Sequence, residues 1–432
     1  MGKSSVVYVI GLSMMIAIAM VNINRDSSSS MDTYTSYYSH TAAHNVALAG
    51  ANIGTQLIIR TPTYSTDLVD QSFNGGRFDM RITAIGGGGK RVTSTSRISI
   101  GGTIVRDTVI AELRYTPFWK YGWFTESEVN GYKKPDGSNG PFSGQDDWKI
   151  TGDSVYGYAH TNNHFNLAGR PYFHDKITAT NAPALRTLAG DKNPIYNAGY
   201  EWGVTVNRPT SNLTNLEAAA QGSGALVDLN KDVALTFFSD GRVGVKIPPT
   251  TGATRNDTVS VNTLAPTGVF AVKNGDLRIT GTYKGQLTVV ALKGSQSNKG
   301  NVWIDGTGIK AASDPTANSG STDMLGIVAE RMAYISEDDT RGPASQVTIQ
   351  GAIYCQNGEL TAENFWQLGK HGRLYVTGSL VQKTAGSLGI FDSGGLKNGF
   401  YYSVRHDSRF LVTGPPMFPM SDKYELASWW EN

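Results

Sequence analysis

His160, His164 and His174 fall in one short stretch, with Asp153 and Asp175 beside it. Imidazole and carboxylate groups are common zinc ligands, and a site needs three or four of them converging on one point. His160 and His164 are an even number of residues apart, so on a single strand they would share a face. Asn162-Asn163 bends the chain between them, however, and Asn and His at such corners ordinarily satisfy backbone groups. The three histidines are carried as metal candidates only, and no cofactor is expected.

Paired carboxylates could do different chemistry. Glycoside hydrolysis uses two acidic side chains facing each other across the scissile bond. Asp146 and Asp147, the run Glu337, Asp338 and Asp339, and Asp407 are the acidic groups available for it. Adjacent carboxylates on a loop point in different directions, and hydration or calcium binding is their more ordinary role. The run Gly86–Gly89, followed by Lys90 and Arg91, lacks the helix that a phosphate-cradling loop opens into. Between strands it reads as a hairpin turn. Cys355 ends the apolar run Gly-Ala-Ile-Tyr-Cys and is expected to be a buried small hydrophobe. No residue is assigned a catalytic role, and the chain is expected to be non-enzymatic.

These residues sit in a chain of 432 with charged residues at only 17%, below the roughly 25% of an average soluble protein. The net charge of +2 leaves no electrostatic footprint for nucleic acid. The 50 glycines fit short strands joined by tight turns. A single cysteine permits no internal disulfide, which disfavours a small disulfide-stapled secreted domain without excluding export.

Residues 1–24 form the first element. Val6, Val9, Ile10, Leu12, Ile16 and Val21 lie in an uncharged run from Ser4 to Ile23. At helical rise this run is about 30 Å long, the thickness of a bilayer core. A retained membrane anchor is the preferred reading, and a signal peptide cleaved after Ala17-Ile18-Ala19 is the alternative. Residues 25–62 are expected to be an amphipathic helix segment, helical over 31–59 after a break at Ser27–Ser30. Its face would carry Tyr34, Tyr38, Ala42, Val46, Ala49, Ile53 and Leu57. Gly50 and Gly54 weaken its second half, and Pro62 stops it.

The period then changes from helical to alternating. Residues 63–140 read as a β-meander. A short repeat follows: polar, apolar, any, apolar, any, Gly. It occurs as DWKITG (147–152), HFNLAG (164–169), DLRITG (276–281), NVWIDG (301–306), QVTIQG (346–351) and RLYVTG (373–378). The spacing of about 25 residues points to a right-handed parallel β-helix, in which alternating apolars face inward and glycines turn the corners; a sandwich whose strands happen to end in glycine is the alternative. The expected order is first solenoid strands at 141–184, an insertion at 185–265, the main solenoid at 266–392 and an aromatic, Pro-rich cap at 393–432. Tyr401, Tyr402, Phe410, Phe418, Trp429 and Trp430 would close the open end of the stack. The fold class is thus mainly β behind an N-terminal transmembrane helix.

Several segments together resemble a family of bacterial envelope proteins with PilX-like, pilus-assembly N-termini and bodies of unassigned function. They are GDSVYGYAHTNNHFNLAGRPYF (152–173), DMLGIVAERMAYI (323–335), SGGLKNGFYYSVRHDSRF (393–410), PPMFP (415–419) and SWW (428–430). The resemblance implies a pilin-like helix, a β-solenoid body and an envelope setting, with no established chemistry. The chain departs from pilins in one respect: Val7 stands where they place a glutamate five residues after the Gly2-Lys3 junction. The expected function is a structural or adhesive, membrane-anchored envelope protein, its body periplasmic or extracellular. Pilus or secretion components and surface glycans are the expected partners. A polysaccharide-binding or polysaccharide-degrading β-helix is the alternative.

Overall fold

The computed structural model describes residues 3–100, 102–206, 208, 213–248, 254–337 and 345–431. Gly2, Asp338 and Asp339 lie outside them. The chain divides into one unit of residues 1–116 with 422–432, and a second of residues 117–421.

The first unit is organised by one helix, α1, which runs from Lys3–Arg60 without a break. The expected interruption at Ser27–Ser30 is absent. Serine is only mildly unfavourable in a helix, and hydroxyls here bond back to the preceding turn, as Thr33 Oγ1 does to the Ser29 carbonyl at 2.8 Å. From Val6 to Tyr38 the helix is exposed nearly all round, including the anchor residues Val6, Val9, Ile10, Leu12, Ile16 and Val21. Its last two-fifths packs on a sheet, but not through the expected face. Tyr34, Tyr38 and Ile53 are exposed, and the buried stripe is Ser39, Ala43, Val46, Ala47, Gly50, Ala51, Gly54, Thr55 and Ile58. This stripe is rotated by about one residue toward the smallest side chains. Size explains the choice, since a Cβ on Gly50 would lie 3.0 Å or less from the Phe78 ring. A Cβ on Gly54 would crowd Met80 and Val92 similarly. The glycines that weaken the helix as a sequence are what lets it lie flat on the sheet.

That sheet is a meander of β1 (Leu68–Phe73), β2 (Gly76–Ile85), β3 (Gly89–Ile100) and β4 (Thr103–Pro117), each pair antiparallel. The C-terminal strand Met420–Glu431 adds to β4 as the fifth member. Tyr424 stacks on Tyr115 at 4.3 Å, and Trp429 packs against Ala47, Ala51 and Val109. Trp429 and Trp430 therefore belong to the helix-bearing sheet rather than to the solenoid strands they were expected to close. The meander also ends at Pro117 rather than at residue 140.

In the second unit the chain first lays down β5 (Trp123–Ser127), β6 (Trp148–Ile150), β7 (Ser154–Tyr156), β8 (Ala159–Thr161) and β9 (Asn166–Ala168). Next come β10 (Tyr172–Phe173), β11 (Ile177–Ala179), β12 (Ala184–Arg186), β13 (Ile195–Tyr196) and β14 (Tyr200–Trp202). Helix α2 (Leu213–Gly222) leads to β15 (Leu226–Asp228), β16 (Val233–Phe237), β17 (Arg242–Ile247) and β18 (Arg255–Ser260). The long run follows: β19 (Val269–Lys273), β20 (Leu277–Tyr283), β21 (Gln286–Leu292), β22 (Val302–Ala311), β23 (Met324–Ala329) and β24 (Ala333–Ile335). It closes with β25 (Val347–Cys355), β26 (Leu360–Ala362), β27 (Lys370–Thr384), β28 (Gly389–Asp392) and β29 (Gly395–His406).

Parallel pairing links these strands out of chain order. One ladder runs β15–β19–β21–β23–β25–β27–β5–β8–β11–β14. A second runs β25–β27–β29–β7–β10–β13. A third runs β16–β20–β22–β24–β26, and a fourth β6–β9–β12. The strands laid down first thus add to the edge of those laid down last. Two of the expected boundaries fall with this. Within 185–265, β13 to β16 join the ladders, while α2 and the antiparallel excursion through β17 and β18 stand outside them. Strand β29, with Tyr401 and Tyr402, is paired on both sides and so sits inside the stack rather than at its end.

The repeat is largely visible in the register. Leu277 and Ile279 pair with Val302 and Ile304, and Val347 and Ile349 pair with Leu374 and Val376; all eight are buried. Gly281 ends its repeat at φ +108°, and a Cβ there would strike the Phe237 carbonyl. The longer gap from 301 to 346 is bridged in the register, since Ile309 pairs directly with Ile349.

Glycine-to-alanine changes in an exposed helix gain roughly 1 kcal/mol. At Gly50 and Gly54 the sign should reverse, because overpacking costs about 1–3 kcal/mol. Denaturant unfolding of Gly50→Ala and Gly54→Ala is expected to give a lower midpoint for the helix-bearing unit. A midpoint at or above the parent's would contradict the close approach.

Candidate functional site

The expected metal ligands are not brought together. His160 is buried on β8 with both ring nitrogens engaged, Nδ1 with Thr178 Oγ1 at 2.7 Å and Nε2 with Asn162 Oδ1 at 2.9 Å. Burial holds its pKa below the usual histidine value. His174 is exposed beside Asp175 and Tyr156, and His164 is half-buried on a separate turn. Among the described residues no three His, Cys, Asp or Glu side chains are grouped to hold a metal ion.

The acidic candidates separate as well. Asp407 caps a short turn by accepting from the Arg409 N–H at 3.0 Å and is salt-bridged to that guanidinium at 2.6 Å. It supports the chain next to β29. Phe410 and Phe418 are buried near it, Phe418 against Trp119 and Tyr354. Glu337 holds the Asn364 side chain at 2.7 Å.

Asp147 leads to a cluster that the sequence reading missed. Aligning DWKITG with HFNLAG sets Trp148 opposite Phe165, but the strands pair Trp148 with Asn166 and Lys149 with Leu167. A slip of one residue exchanges the faces. Lys149 therefore points inward, 2% exposed, and Trp148 is left half-buried at the surface. The Lys149 ammonium pairs with Asp147 and lies 3.7 Å from Glu128 Oε2. It also sits over the Trp123 ring at 4.3 Å and the Tyr402 ring at 5.3 Å. Burial works against its charge, but Asp147 and Glu128 raise its pKa overall. Glu128 in turn accepts from the Thr125 hydroxyl and from Trp123 Nε1.

More carboxylates surround this one cation than it can neutralise. Asp153 accepts the backbone N–H groups of Ile150 and Tyr402, both at 2.8 Å, and burial lifts its pKa to about 6. Glu359 accepts from the Gly131 N–H and the Thr384 hydroxyl, both at 2.7 Å, and burial lifts its pKa to about 8. Glu359 therefore keeps its proton at neutral pH, which spares the interior one negative charge. The cluster joins β5 and β6 to β27 and β29, the place where the first-laid strands meet the last.

A cleft of about 520 Å³ opens beside this junction. One wall is the excursion between β5 and β6, carrying Asn130, Phe142, Asp146 and Asp147; the other is the segment Ser387–Phe391. Trp148 and Arg186 line it from β6 and β12. The Ser387 hydroxyl bridges the walls, donating to Asp147 Oδ1 and receiving Asn130 Nδ2, both at 2.6 Å. The Arg186 guanidinium lies over the Trp148 ring at 5.9 Å and the Phe391 ring at 5.5 Å.

No family model matches the chain, and no curated protein matches it. Among solved structures it aligns with the competence-associated pilin ComZ from Thermus thermophilus. The identity is 11% and the TM-score 0.34, over 91% of this chain and 97% of that one. At that level of likeness only the chain's own geometry carries an argument.

The sign of the pH dependence follows from the raised carboxyl groups. An acid whose pKa is higher folded than unfolded stabilises the fold fully below its unfolded value of about 4, and that contribution is lost as pH rises through its folded value. For Asp153 the loss runs to about pH 6 and for Glu359 to about pH 8. Glu359→Gln keeps the neutral form at every pH. Its denaturant midpoint should exceed the parent's by much less at pH 5 than at pH 9. A lower midpoint at pH 9 would contradict a protonated Glu359.

Proposed function

We propose that this protein is a pilin-like, membrane-anchored envelope protein that holds a β-solenoid body outside the cytoplasm and has a structural, non-enzymatic role. The observation that carries this reading is α1. One helix joins an exposed apolar half, long enough to cross a membrane, to a second half laid on an antiparallel meander. An exposed row of Val, Ile, Leu and Met on every side of a helix is stable only in an apolar environment. Continuity then transmits the position of the anchor rigidly to the sheet. This is the arrangement that a resemblance to PilX-like N-termini implies, and pilus or secretion components are the corresponding partners.

For the second unit, the parallel ladders with inward apolar pairs support a solenoid. Parallel crossovers are almost always right-handed, which gives the coil its hand. Asp147 is tied to Lys149 and Ser387, and Asp407 to Arg409, so neither is free to act as an acid or nucleophile. That favours a structural role over polysaccharide cleavage.

The anchor reading is tested on protein extracted from membranes after an alkaline carbonate wash. Its N-terminal peptide, identified by mass spectrometry, is expected to contain Leu12 and Ile16. A mature chain beginning at Met20 would overturn the anchor in favour of a cleaved signal.

A further inference from the structure

We propose that the cleft between the β5–β6 excursion and Ser387–Phe391 is a binding site for a short, neutral oligosaccharide. Its volume of about 520 Å³ falls within the roughly 300–1,000 Å³ of small-molecule sites. Its walls offer two kinds of surface. Trp148, Phe391 and Phe142 present half-buried rings, and Asp146 and Gln145 present exposed polar groups beside them. A pyranose matches both, because its C–H faces pack on aromatic rings while its hydroxyls point sideways to acceptors.

Charge narrows the ligand. Asp146 and Asp147 line the cleft, and the nearest buried cation, Lys149, is already matched by Asp147 and Glu128. An anionic sugar would meet the exposed Asp146 carboxylate. A cationic ligand would be repelled by the Arg186 guanidinium, which lies over the Trp148 and Phe391 rings. A purely apolar ligand would desolvate Asp146 without giving it a hydrogen bond. A neutral polyol can donate to that carboxylate in a charge-assisted bond while Arg186, itself exposed, swings clear.

The rim is also held in an unusual backbone state. Phe142 has φ +66° and packs on Phe365 with ring centroids 5.8 Å apart. A bulky residue in the left-handed region persists only where its surroundings enforce it. Here the enforced conformation turns an aromatic side chain onto the edge of the cleft.

The site lies wholly in the second unit, so it stands whether or not the helix is retained. The test is calorimetric titration of the detergent-solubilised full chain with maltotriose, cellotriose and N-acetylated chitotriose. Trigalacturonate and unacetylated chitotriose serve as the anionic and cationic comparisons. At least one neutral trisaccharide should bind, more tightly than either charged one. Phe391→Ala should weaken it about tenfold. Asp146→Asn, which changes an exposed side chain and keeps its shape, should do so comparably without moving the melting temperature. Failure of all three neutral sugars to bind at millimolar concentration overturns the proposal. So does preference for a charged trimer, or binding that neither substitution weakens.

Discussion

A strand edge carries unpaired N–H and C=O groups, and a stack of parallel strands has such an edge wherever a coil lacks a neighbour. In this protein that constraint is met by an unexpected join. The chain lays down β5 to β14, crosses back, and then builds β15 to β29 so that its last strands pair with its first. Leu380, Val381 and Gln382 meet Trp123, Phe124 and Thr125, and Ser403 and Val404 meet Ser154 and Val155. The crossing segment is itself fastened along the way. Val204 donates to the Ala179 carbonyl, Val206 and Asn162 exchange two bonds, and Arg208 reaches the Gln356 carbonyl at 2.7 Å. Glu217 of α2 then salt-bridges Lys273 of β19 at 2.6 Å. Each anchor lies further along the ladder that starts at β14, so the segment works as a strap across the join.

The buried polar cluster follows from the same join. Two independently laid segments cannot share one apolar alternation as neatly as consecutive coils do. At their seam lies Lys149 with Asp147, Glu128, Asp153 and Glu359 around it. A buried ionic group is a poor source of net stability but a strong penalty against mispairing, because any other register would strand the charges. The cleft opens at this seam, where the β5–β6 excursion and the Ser387–Phe391 segment approach each other. Its wall-to-wall contact runs through Ser387.

The apolar helix and the spaced glycine-terminated repeats were legible because each is a local pattern. Leu277 and Val302, or Val347 and Leu374, pair at the distances their repeats imply. What could not be read is whatever depends on which distant segments become neighbours. Tyr402 looked terminal because it is late in the chain, but β7 lies beyond β29 in the stack. Trp429 and Trp430 looked like solenoid aromatics, but their strand belongs to the sheet under α1. Lys149 stands between the two apolar positions of its repeat, and the one-residue slip in pairing with β9 turns it to the inner face. On the helix, the large Tyr34, Tyr38 and Ile53 suggested the packed side, whereas close approach to the sheet selected Ala and Gly.

The join of first strands to last is the feature on which the seam, the cluster and the cleft all rest, and one covalent probe tests it. Ser154 and Ser403 are register partners on β7 and β29, their hydroxyls 3.1 Å apart. They stand 249 positions apart in sequence. Parallel neighbours lie about 4.8 Å apart, within reach of a disulfide. Cys355 is buried and does not compete. The account predicts that the Ser154→Cys, Ser403→Cys double variant forms an intramolecular disulfide on mild oxidation of the folded protein, identified by mass spectrometry of the linked peptides. Two thiols that stay free, or that link only between molecules, would contradict it.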